Sequence, residues 1–133
     1  DRLRSRGLGD VYKRQDGFDE ISISAPTKVA EIKDGGIFEY TIIPEQFGLP
    51  LAEKEEVVGG SPEENALITQ GILAGTIRDA KRNIVLLNAG CALYVVGQAG
   101  SIGDGVALAA EMIDSGAALA KLEELKQFTN ALA

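Results

Sequence analysis

Asp19 and Glu20 stand side by side in "GFDEIS", residues 17–22, with an apolar residue on each flank and a β-type run just beyond. Adjacent carboxylates within a regular strand point to opposite faces and cannot address one ligand, whereas in a loop leading into a strand they can. Two hard oxygen donors on a short loop suit Mg²⁺ bound together with substrate phosphates, because that ion keeps several waters and takes only one or two protein carboxylates. The other reading of the pair is a solvated charge cluster at the mouth of a strand, which is the commoner arrangement. By residue type alone both readings stand.

Little else in the chain could carry chemistry. There is no His among the 133 residues, which removes the usual general base, the usual nucleophile activator and the commonest zinc ligand. With Cys91 as the one cysteine, neither Ser-His-Asp nor Cys-His catalysis can be built, and Cys91, within an apolar helical run, reads as a small core residue. "GQAGSIGDG", residues 97–105, holds four glycines, yet it falls between two helical patterns instead of following a strand. A helix stop followed by a helix start therefore explains it better than a phosphate cradle. "GLGD", residues 7–10, has no strand or helix pattern around it and carries no weight.

Composition narrows the class further. Hydrophobic content of 45% with 25% charged residues describes one soluble globular domain. A net charge of −7 and a pI near 4.6 argue against nucleic acid, whose binding draws on Lys and Arg. The lone cysteine and the lack of a charged-then-apolar signal segment point to a reducing cytoplasm. The longest apolar run, residues 84–96, is interrupted by Asn88 and falls short of the roughly 20 residues a bilayer crossing needs. No membrane partner is expected. The run reads as a core helix, with Asn88 and Tyr94 satisfying buried backbone or loop groups.

The elements that must position the acidic pair follow from pattern. Residues 1–15, "DRLRSRGLGDVYKRQ", hold five basic residues against two acidic ones and show no period of 2 or 3.6, so they are expected to be disordered. "DVYKRQ" also resembles translated adapter sequence at broken ends of assembled reading frames. On that reading the natural protein enters near Asp16; the other reading is a genuine basic arm. Residues 21–32 alternate as one or two short strands around Pro26. Asp34-Gly35-Gly36 is a turn, and "IFEYTI", residues 37–42, alternates again, which predicts a β-hairpin. Ser61, Pro62 and Glu64 form a capping box after a diglycine break and start a helix carrying Ala66, Leu67, Ile68, Ile72 and Leu73. A second helix is expected from about residue 78 to 96. Ser101 starts a third, with Val106, Ala109, Met112 and Ile113, and a last one after Gly116 sets Leu119, Leu122, Leu125 and Phe128 on one side. The prediction is a β-hairpin followed by about four helices, without an internal linker.

The words "DGFDEISISAPTKVAEIKDG", "FGLP", "GGSPEENALI", "IVLLNAGCALYV" and "IDSGAALAKLEEL", in that order and spacing, resemble the C-terminal part of bacterial anthranilate phosphoribosyltransferase over residues 16 to about 128. The resemblance implies the C-terminal part of the nucleoside phosphorylase/phosphoribosyltransferase α/β domain, usually in a homodimer. It implies transfer of phosphoribosyl from phosphoribosyl pyrophosphate to anthranilate in tryptophan biosynthesis. It also implies that Asp19 and Glu20 are the pair that coordinates Mg²⁺ on the pyrophosphate. The family's Gly-Thr-Gly-Gly-Asp loop, Asn-x-Ser-Thr segment, Lys-His-Gly-Asn stretch and anthranilate-binding arginine belong to upstream sequence and are missing here, so this chain alone is expected to be inactive. The alternatives are a pyrimidine nucleoside phosphorylase-like relative on the same fold, or a non-enzymatic module binding a partner through its acidic surface.

Overall fold

The computed structural model describes residues 5–6, 10–14 and 20–133, with side chains from residue 20 onward. Asp19 lies outside the described residues, as does the rest of the first fifteen apart from two short strands. The order is β1 (Ser5–Arg6), β2 (Asp10–Arg14), β3 (Thr27–Lys33), β4 (Gly36–Ile42), α1 (Pro62–Leu73), α2 (Ala80–Val95), α3 (Ile102–Asp114) and α4 (Ala117–Ala131). Two 3₁₀ turns, Pro44–Phe47 and Lys54–Val57, join β4 to α1.

β3 and β4 pair antiparallel from Thr27↔Ile42 to Lys33↔Gly36. Asp34 and Gly35 close the hairpin with φ of 50° and 77°, the two left-handed residues that match the twist of paired strands. Alternation then puts Thr27, Val29 and Ile42 in the core and leaves Lys28, Glu39 and Thr41 exposed. The hairpin followed by four helices is the architecture expected for this part of an α/β domain.

Two local expectations differ from the structure. Residues 21–26 are irregular, with bends at 23–25, and the strand begins only at Thr27. The Ser22 hydroxyl accepts the N–H groups of Ser24 and Ala25, each at 3.0 Å, and the Ser22 N–H donates to Thr27 Oγ1 at 3.2 Å. These local bonds take the backbone out of the ladder, although Ile21 and Ile23 are still buried. The second difference is upstream. Ser5–Arg6 and Asp10–Arg14 are strands, where no regular structure was expected, and β2 pairs antiparallel with β3 from Val11↔Ala30 to Arg14↔Thr27. The free edge of β3 offers unpaired backbone groups, and satisfying them requires only an extended partner, not an apolar period.

The core lies where α2 crosses α3. Leu86, Leu87 and Cys91 of α2 and Val106, Ala109 and Ile113 of α3 cluster with Ile21, Ile23, Val29 and Ile42. The crossing is close because it is made by glycines: a Cβ on Gly105 would lie 2.8 Å from the carbonyl carbon of Gly90, and one on Gly90 would lie 2.7 Å from Val106 Cγ2. At the other end of the pair, buried Arg82 donates through both terminal nitrogens to Asp114, at 3.2 and 3.3 Å. Arg78, largely exposed, adds a third contact to Asp114 at 3.4 Å.

The helix caps follow the sequence. The Ser61 hydroxyl accepts from the Glu64 N–H at 3.2 Å while Glu64 accepts from the Ser61 N–H at 2.8 Å, the capping box that starts α1. The helical faces are less completely buried than their patterns predict. Val85 and Val96 are exposed on the run read as a core helix, and α4 buries no residue, with Leu119 and Leu122 half-buried and Leu125 and Phe128 exposed. An amphipathic stripe specifies a face to be covered, and this chain does not cover all of them.

Candidate functional site

The acidic segment enters the described structure at Glu20, whose side chain is exposed. The next residue is held firmly. Ile21 is buried, its N–H donates to Asn88 Oδ1 at 2.9 Å, and Asn88 Nδ2 donates back to the Ile21 carbonyl at 2.9 Å. Asn88 Nδ2 also donates to the Ile84 carbonyl, one turn earlier in α2, at 2.9 Å. Further along, the Ala52 N–H donates to the Ile23 carbonyl at 3.1 Å. A segment without secondary structure thus has its backbone satisfied by side chains and by a neighbouring loop, as buried polar groups require. The expected role of Asn88 in satisfying backbone groups is what the structure shows. Among the described residues, no three His, Cys, Asp or Glu side chains gather closely enough to hold a metal ion.

A second polar constellation escaped the sequence reading. Glu31 on β3 accepts from the Tyr40 hydroxyl at 2.8 Å and from the Tyr94 hydroxyl at 2.7 Å, one on each carboxylate oxygen. Lys33 Nζ stands 5.9 Å from the centre of the Tyr94 ring. The hydrogen bond to Glu31, with burial and the same negative charge, raises the Tyr94 phenol above its usual 10.0, and Lys33 partly opposes this. An open cleft of about 600 Å³ lies beside the cluster, walled by Tyr40, Phe47, Tyr94, Ser101, Ile102 and Gly103. The available signal was alternation: Glu31 falls on the same face as Val29, pointing toward α2 rather than into solvent.

The glycine-rich segment resolves into helix boundaries. Gly97, at φ 78°, ends α2 in the left-handed region. Ser101 caps α3 by accepting the Asp104 N–H at 3.0 Å, and Gly105 serves the helix crossing. Cys91 is a buried core thiol. Among the described residues, no helix is long and apolar enough to cross a membrane.

The hairpin, the α2–α3 pair and the pinned acidic segment make up part of an α/β group-transfer domain, and the chain belongs to the glycosyl transferase family, a/b domain, which matches residues 5–119. That match runs upstream of Asp16. Within the family, the chain is 53% identical over 88% of its length to an anthranilate phosphoribosyltransferase of Methanobrevibacter smithii, and 50% identical over 91% to one of Methylobacillus flagellatus. It spans about a third of each, 35% in both cases. The solved anthranilate phosphoribosyltransferase of Thermus thermophilus superposes with a TM-score of 0.79 at 36% identity, over 87% of this chain and 34% of that one. The Saccharomyces cerevisiae enzyme, in complex with PRPP and Mg, superposes at 0.76 with 26% identity, over 86% of this chain and 33% of that one.

Proposed function

We propose that this chain forms the metal-ligand-bearing C-terminal part of an anthranilate phosphoribosyltransferase. The observation that carries the reading is the 53% identity maintained over 88% of the chain. Asp19 and Glu20 serve as ligands of Mg²⁺ on the pyrophosphate of phosphoribosyl pyrophosphate. Glu20 fits that role as an exposed carboxylate, a hard oxygen donor of the type Mg²⁺ takes. An Mg²⁺ held there would supply positive charge to offset that of the pyrophosphate. The protein's part is to hold the ligands at a fixed place on the α/β domain, and the backbone bonds at Ile21 support that for Glu20. Anthranilate and the phosphoribosyl group are held by loops outside this sequence, so the chain by itself does not catalyse the transfer. The working unit is a cytoplasmic homodimer. The adapter-like "DVYKRQ" supports a non-native origin for residues 1–15, whereas the pairing of β2 with β3 and a family match that begins at residue 5 support a native segment; the upstream reading frame decides between them.

The test is to join this chain to the upstream two-thirds of the Methanobrevibacter smithii enzyme and to measure initial rate against Mg²⁺. Asp19→Asn and Glu20→Gln remove charge at nearly constant size. Each is expected to raise the Mg²⁺ concentration for half-maximal rate about tenfold and to lower turnover; for Glu20→Gln the melting temperature should change little, because an exposed charge adds little stability. Unchanged metal dependence with a lowered melting temperature would assign the pair a structural role instead.

A further inference from the structure

We infer that Asn88 is a positioning residue for Glu20, through the reciprocal hydrogen bonds between its carboxamide and Ile21. The inference rests on the metal-ligand reading of Asp19 and Glu20. The Ile21 N–H belongs to the peptide plane that also contains the Glu20 carbonyl, so its bond to Asn88 Oδ1 at 2.9 Å fixes the plane from which the Glu20 side chain departs. The return bond from Nδ2 to the Ile21 carbonyl, also at 2.9 Å, fixes the next plane. Together they imitate one rung of a β-ladder, with an asparagine side chain in place of a strand.

The carboxamide is itself held. Its second N–H goes to the Ile84 carbonyl at 2.9 Å, so both amide hydrogens and one oxygen lone pair are used. A flipped amide would set donor against donor at Ile21 N–H and acceptor against acceptor at two carbonyls, which selects this orientation. On the far side of Ile21, Ser22 and Thr27 lock the chain, and the Ile21 side chain is buried. Asn88 stands mid-way along α2, whose neighbours Leu86, Leu87, Gly90 and Cys91 are buried. The loop therefore takes its position from a core helix. A ligand-bearing segment held from a rigid element keeps metal geometry within the small tolerance that catalysis needs.

Two readouts separate positioning from mere support. The first is backbone hydrogen exchange of this chain at single-residue resolution. In the wild type the Ile21 amide should exchange slowly; free exchange there would overturn the inference without any variant. Asn88→Ala should accelerate Ile21 roughly a hundredfold while the α2 amides around Leu87 stay protected. The second is Mg²⁺ dependence in the joined enzyme. Asn88→Ala should raise the half-saturating Mg²⁺ about tenfold, as loss of a ligand's supporting partner does, with a smaller change in the KM for anthranilate. Asn88→Asp keeps the acceptor for Ile21 N–H and loses the donor, and it should fall between wild type and alanine. If Glu20→Gln shifts the Mg²⁺ requirement and neither folded Asn88 variant does, the positioning role is overturned. If neither Asp19→Asn nor Glu20→Gln shifts it, the metal-ligand reading fails, and the positioning role fails with it even where Ile21 exchange responds to Asn88.

Discussion

Single residues tie the hairpin to the helices at a few polar points. Tyr94 donates to Glu31 from the last turn of α2, and this bond raises the phenol above 10.0. A group whose folded pKa is raised contributes stability fully below its unfolded value and loses it as pH rises through the folded value. Tyr94→Phe should therefore be less stable than wild type below about pH 10, and the two should converge at higher pH. Denaturant melts across that range check it; a constant difference up to pH 12 would show that the bond is not the source. Asp114 presents the second case. It takes two bonds from buried Arg82 and one from exposed Arg78, so Asp114→Asn leaves a buried guanidinium without its counter-charge. That should cost about 1–3 kcal/mol, given that Asp114 is itself half-exposed. Arg78→Ala should cost less than about 0.5 kcal/mol, since it breaks only an exposed contact.

At the level of elements, the α2–α3 crossing decides how the rest is placed. Gly103 and Gly105 are both in the first turns of α3, yet their surroundings are opposite. A Cβ on Gly103 meets Phe47 and Ser101 at 3.9 Å, an ordinary contact, whereas one on Gly105 collides with the backbone of Gly90. Gly103→Ala should be neutral or stabilising by about 0.5 kcal/mol, from helix propensity. Gly105→Ala should destabilise by about 1–3 kcal/mol, because the helices must separate. Thermal melts of the two variants test this, and equal effects would refute the close crossing. The same crossing matters to function, since it anchors the α2 segment that carries Asn88.

The whole molecule leaves apolar surface uncovered. Leu67 on α1 and Leu125 and Phe128 on α4 are 67%, 56% and 63% exposed, and Leu132 beyond α4 is 71% exposed. Apolar side chains in such number on neighbouring elements mark a face that packs against something. The isolated chain should self-associate in a concentration-dependent way, and Leu125→Lys with Phe128→Glu should shift it toward monomer. Sedimentation velocity over a range of concentrations measures this. A monomer at every concentration would mean that the face is tolerated in water.

The sequence by itself determined the hairpin, the start of α1 at Ser61, the start of the last helix after Gly116, and the division of the glycine-rich segment between two helices. These are local matters, settled by φ, by caps and by hydrophobic period within a few residues. It also supplied the candidate ligands Asp19 and Glu20 and the family words around them. Tertiary structure decided what lies at a distance in the chain. Ile21 meets Asn88 across 67 positions, and Glu31 meets Tyr94 across 63. Arg82 meets Asp114 across 32 positions. β2 pairs with β3 through backbone groups, which leave no mark in composition. Gly105 reads as loop chemistry until Gly90 lies against it. Each of these contacts depends on which surfaces the fold brings together, and a local pattern encodes a residue's own conformation, not its neighbour across the core.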